Sequence, residues 1–192
     1  MKSERSRCPR RFGGADGASR SLREQWWYAR ASPRDLVAFR SLQWSNSGAI
    51  TETIAIAADH GGYDLKSLLI AELNTLGYEA LDLGTHGTQS VDYPDYAAAL
   101  AQAIEAGRAK RGVLVCGTGI GIAIAANRYR FIRAAVCHDA TTARLARQHN
   151  DANVLALGGR IVGAEVARDC LRTFLATAFE GGRHAPRIAK LS

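Results

Sequence analysis

The stretch Cys116-Gly117-Thr118-Gly119-Ile120-Gly121 holds the densest chemistry in this sequence. Glycines at alternate positions let the main chain approach a ligand closely and turn several N–H groups toward it. A small-residue run, IAIAAN, follows and reads as a helix whose N-terminal end adds positive potential. The combination suits negative charge. It is not a P-loop, because no Gly-Lys-Ser/Thr follows. A G-x-G-x-x-G loop would need glycine where Ile122 stands, so nucleotide binding has no support. Cys116 opens the turn. Thiolates are favoured at helix N-termini and serve as bases or nucleophiles. The alternative is a structural thiol buried in an apolar strand.

Other candidates are scattered. Asp59 and His60 stand before Gly61-Gly62 at a strand-to-helix turn. The histidine can donate to a phosphate, or the pair can simply cap the turn through Asp59. His149, in the polar stretch RQHND, reads as a turn residue that either shuttles protons near neutral pH or is exposed and idle. Arg183 and Arg187, four apart in GGRHAPR, can fork onto phosphate oxygens or form a solvated tail. Arg160, after Gly158-Gly159, can reach the same anion.

These residues need a scaffold, and the segments between them supply one. TIAIAAD from Thr53, EALDL from Glu79, GVLVC from Gly112, IRAAVC from Ile132 and NVLALG from Asn153 are short apolar runs. Between them lie stretches of helical spacing: Leu65 to Leu76, Ala97 to Ile104, Ile122 to Asn127 and Thr141 to Gln148, with Val166 to Leu175 last. Strands that are continuously apolar are covered on both faces. The pattern predicts a three-layer α/β/α, Rossmann-like domain with a five-stranded parallel sheet and a C-terminal tail segment. Ligands bind such sheets outside the carboxyl ends of the strands, and Asp59-His60, the Cys116 turn and Gly158 to Arg160 all fall there.

The formal charge of +7 is unevenly spread. Residues 1–50 hold 10 Lys/Arg against 4 Asp/Glu, and residues 51–192 hold 15 against 14. The domain is nearly neutral, which argues against nucleic-acid binding. No apolar run approaches the ~20 residues of a membrane span. The four cysteines form no C-x-x-C pair, which favours a reducing, cytoplasmic setting and gives neither a disulfide framework nor a metal site. Residues 1–50 read as a basic, disordered leader. The favoured account is a translated stretch upstream of the true start; a transit peptide and a basic arm for an anionic partner are the alternatives.

Five stretches together resemble ribose-5-phosphate isomerase type B and the related galactose-6-phosphate isomerase subunits. They are ADHGG at 58–62, DYPDYA at 92–97, CGTGIGIAIAANR at 116–128, RQHNDANVLALGGR at 147–160 and EGGRHAPR at 180–187. The resemblance implies an aldose–ketose isomerase acting through a cis-enediolate, with no cofactor and no metal. It implies Cys116 as the base, Thr118 assisting proton transfer and His149 opening the sugar ring. Gly117, Gly119, Gly121 and Asn150 would stabilise the oxyanion. Asp59 and Tyr93 would contact hydroxyls, while His60, Arg160, Arg183 and Arg187 would hold the phosphate. Each site would be shared across a homodimer, or a dimer of dimers. One branch of the family places Glu six residues after the Cys position; Ile122 stands there, so the chain resembles the cysteine branch. A six-carbon sugar phosphate and a sugar-phosphate-binding role without turnover are the alternative readings.

Overall fold

The apolar runs form strands because each is sealed on both sides. In this computed structural model, which describes residues 52–191, strand β1 (Thr53–Ala58) has five consecutive fully buried residues from Ile54 on. The described residues lie within one compact unit, Ile50–Ser192. The expectations for residues 1–50 fall outside them.

Chain order then runs α1 (Tyr63–Thr75), β2 (Glu79–Asp82), α2 (Tyr93–Glu105), β3 (Arg111–Cys116), α3 (Ile120–Ala126) and β4 (Ala134–Val136). It continues through α4 (Ala140–Asn150), β5 (Val154–Gly158), α5 (Ala164–Ala176) and the short α6 (Ala185–Ile188). All strand pairs are parallel, in the order β2-β1-β3-β5-β4. Ile54, Ile56, Val113, Val115, Leu155 and Leu157 face a layer that includes Leu69, Leu73, Leu171 and Phe174. Ala55, Ala57, Leu114 and Cys116 face the opposite layer, with Leu100, Ile122 and Ala126. The expected three-layer architecture follows directly from this alternation.

Three local readings change. β4 is only Ala134–Val136, shorter than Ile132–Cys137, because it is an edge strand with one partner and Ile132 is drawn into a turn on Tyr129. His149 lies in the last turn of α4, not in a loop; the helix runs on until Asp151, at φ 43°, reverses the chain. The C-terminal tail is folded into a 3₁₀ turn, Gly182–His184, and α6. Among the described residues no helix is long and apolar enough to cross a membrane.

Candidate active site

Three loops leave the carboxyl ends of the central strands β1, β3 and β5 and lock onto one another through the main chain. Asp59 N–H donates to Val115 O at 3.1 Å, Gly159 N–H to Cys116 O at 2.8 Å, and Arg160 N–H to Gly117 O at 3.0 Å. The fit leaves no room for side chains. A Cβ on Gly159 would stand 2.6 Å from Gly61 O.

Cys116 ends β3 and is 4% exposed. Its sulfur points into the glycine turn, where Gly119 N–H donates to Sγ at 3.1 Å. That contact requires Gly119 in the left-handed region, φ 79°, a conformation glycine adopts without penalty. It also directs the Gly119 N–H, expected at an oxyanion, to the sulfur. Thr118 is exposed, and its Oγ1 accepts from Ile120 N–H at 3.3 Å. The Tyr93 ring lies over Gly121, 3.0 Å from where a Cβ would sit.

Around this turn the remaining residues of the same edge gather. Asp59 is buried and its Oδ1 accepts from Gly62 N–H at 3.1 Å, so the capping reading holds for that oxygen. Val91 N–H donates to His60 Nδ1 at 3.2 Å. Val91 O lies 3.3 Å from the same Nδ1, so Val91 holds the ring in either neutral tautomer, as donor to Nδ1 or as acceptor from it. The Arg160 side chain runs beside Gly117, its Cζ 3.8 Å from the Cβ position there. Asp59, His60, Tyr93, Cys116, Gly117, Thr118, Gly119, Gly121 and Arg160 therefore share one edge of the sheet.

His149, Asn150, Arg183 and Arg187 do not join them. α4 runs back along the sheet and ends beside the first residue of β5. Val154 pairs with Gly112, whereas Cys116 pairs with Gly158. Four residues of strand at about 3.3 Å each separate those levels, so the two groups sit on opposite edges. His149, Asn150, His184, Arg187, Ile188 and Leu191 line a cavity of about 400 Å³ there, to which no residue of the glycine edge contributes.

His184 was missed by the sequence reading. It is buried and stacks on His149, with ring centroids 4.4 Å apart and planes 8° apart. Burial first, then the neighbouring His149, Arg183 and Arg187, hold its imidazole below the ordinary histidine range. Its place between two arginines was the only signal available. Among the described residues Cys116, Cys137 and Cys170 are free and buried. Burial pushes Cys137 up to about 11 and Cys170 up to about 12, as suits structural thiols.

The family model for ribose/galactose isomerase matches residues 54–191. The chain is 45% identical over 139 residues to ribose-5-phosphate isomerase B of Escherichia coli, covering 72% of this chain and 93% of the relative. It is 44% identical over 140 residues to the D-erythrulose-4-phosphate isomerase of Pectobacterium atrosepticum, covering 72% and 92%. Among solved structures, a ribose 5-phosphate isomerase from Thermotoga maritima superposes with a TM-score of 0.72 at 52% identity, covering 73% of this chain and 97% of that one.

Proposed function

The chain belongs to the ribose/galactose isomerase family, and on that premise we propose that it interconverts ribose 5-phosphate and ribulose 5-phosphate, with Cys116 moving the proton. The observation that carries the reading is the sulfur of Cys116 aimed at the glycine turn, with the Gly119 N–H 3.1 Å away. In the aldose-to-ketose direction the Cys116 thiolate takes the hydrogen on C2. The electron pair forms the C1–C2 double bond, and charge collects on O1 as a cis-enediolate. The proton returns to C1, and Thr118 helps pass the O2 proton to O1, which leaves the ketose with its carbonyl at C2 and a hydroxyl on C1. General base catalysis of this kind is worth about 10²–10⁴-fold.

The site is completed by a second copy of the chain. Within one chain the ring-opening histidine and the phosphate arginines lie on the wrong edge. The glycine edge is flanked by exposed apolar surface: Ile120 at 53%, Ile124 at 62% and Tyr93 at 40% exposure. Covering Ile120 and Ile124 contributes up to about 1.5–3 kcal/mol each. A two-fold pair makes each edge meet its counterpart twice. In it His149 of the second copy opens the furanose ring, and Asn150, Arg183 and Arg187 of that copy join His60 and Arg160 around the oxyanion and phosphate. The phosphate grip fixes the reacting carbons against the sulfur.

Sugar length is set in this reading by the loop Thr85–Val91, which with Tyr96 lines a cavity of about 710 Å³. Ketose formation from ribose 5-phosphate, followed for the wild type and Cys116→Ala, tests the proposal. A panel of four-, five- and six-carbon phosphates tests the length. Turnover of ribose 5-phosphate that is lost in the variant supports it. Equal rates would remove Cys116 from the mechanism, and tight binding without turnover would leave a sugar-phosphate binder.

A further inference from the structure

We propose that His149, Glu180 and His184 form a site for a borderline-soft divalent cation of the Zn²⁺ type, and that filling it switches isomerisation off. The sequence gives no hint of it, because the three residues come from α4, the connection after α5 and the 3₁₀ turn. The fold brings one ligand atom of each within 4.8 Å of the others. His149 Nε2 already lies 4.0 Å from a carboxylate oxygen of Glu180.

Two imidazoles and a carboxylate are the donor set of open zinc sites, which keep a fourth position for water or substrate. Around a tetrahedral ion with bonds of about 2.1 Å, such ligands stand roughly 3.4 Å apart. The cluster must therefore close by about 1 Å, and the two stacked rings must splay so that their lone pairs converge. The burial pattern allows this. His184 is the buried anchor, while the His149 and Glu180 side chains are 37% and 50% exposed and can swing to it. The Glu180 charge offsets the nearby Arg183 and Arg187. Arg183 Nε lies 3.5 Å from His184 Nε2, so that nitrogen presents a lone pair toward a donor. A metal ion would take that lone pair and push the guanidinium aside.

The switching half rests on the function proposed above. An ion at this site removes the imidazole assigned to ring opening and displaces one of the arginines assigned to phosphate. It makes no demand on Cys116.

The test separates the two halves. Co²⁺ is titrated into the full chain carrying Cys116→Ser, so that the reactive thiol cannot ligate it, and the visible d–d absorption is followed. A saturable signal of one ion per chain is expected, competed by Zn²⁺ and weakened at least about tenfold by Glu180→Gln. His184→Ala should abolish it; should that variant misfold, Glu180→Gln still decides. No saturable binding, or binding indifferent to Glu180→Gln, overturns the site. Zn²⁺ should then inhibit ribose 5-phosphate turnover by the wild type, reversibly with a chelator, and require at least about tenfold more ion in Glu180→Gln. Binding without inhibition overturns the switch and leaves the site. Absence of turnover altogether bears on the proposed function, not on the cobalt titration.

Discussion

The two edges of the sheet are built by different means. At the carboxyl edge, loops from β1, β3 and β5 are tied by main-chain hydrogen bonds of 2.8–3.1 Å and by glycines too crowded for a Cβ. At the amino edge, a histidine stack, exposed arginines and a short terminal helix make the site, and one main-chain hydrogen bond, Glu180 N–H to Gln148 O at 3.1 Å, ties the C-terminal segment to α4. A developing enediolate needs fixed dipoles that do not reorganise as charge appears. Ring opening and phosphate capture tolerate, and use, side chains that move. In the proposed function each edge takes one task, and that division of labour is the reason a second copy is called for.

The sharpest way to break this comparison is to disable one edge in each of two chains. Cys116→Ala should lower turnover by about 10²–10⁴-fold, and His149→Ala should impair the closed-ring substrate strongly. Co-expressed, half the dimers are mixed, and each mixed dimer has one intact site. The pooled protein should then regain about a quarter of wild-type activity. Activity no higher than either parent would mean that the edges serve separate sites.

Next in size is the phosphate grip. Losing a hydrogen bond to a charged group costs about 1.5–3 kcal/mol, so Arg183→Ala or Arg187→Ala should raise KM by about 10- to 150-fold. The melting temperature should hardly move, because both side chains are exposed and replaceable. The backbone edge should answer in the opposite way. Gly119→Ala forces a side chain into φ 79° and sets its Cβ 2.9 Å from the main-chain carbon of Leu157. It should cost about 1–3 kcal/mol in urea unfolding and lower kcat, since the Gly119 N–H would leave the Cys116 sulfur. A Gly119→Ala protein with normal stability and a raised KM alone would erase the distinction between the edges.

This difference also explains what could be read in advance. The carboxyl edge is made by local sequence: the strand, its reactive last residue and the glycines that follow are contiguous, so Cys116 to Gly121 announced themselves. The five strands were legible because continuous apolar runs have few other uses; β1, β2 and β5 were each overextended by a single residue and the edge strand β4 by three. The amino edge is assembled from segments 30 residues or more apart, such as His149 and His184. Polar residues from Arg147 to Asn150 suggested a turn, yet their helix continues because nothing stops it before Asp151. His184 carried no signal beyond its place between Arg183 and Arg187, and its burial arises only when α6 folds back beside α4.

The smallest expected effect concerns thiols that share an edge but not a turn. Cys137 follows β4 at its carboxyl end, as Cys116 closes β3. Position alone would make them equivalent. Cys137, however, has no glycine loop after it, and burial raises it to about 11, as it raises Cys170 to about 12. A raised thiol stays protonated until the pH approaches its own value, so at pH 8 Cys137 and Cys170 are held as the unreactive thiol. Iodoacetamide at pH 8 should therefore modify Cys116, with loss of turnover and protection by ribose 5-phosphate. Peptide mass spectrometry should find Cys137 and Cys170 unmodified until denaturant is added. If Cys137 reacted as fast as Cys116 in the folded protein, the glycine turn would not be what distinguishes the reactive sulfur, and the strand end itself would have to be.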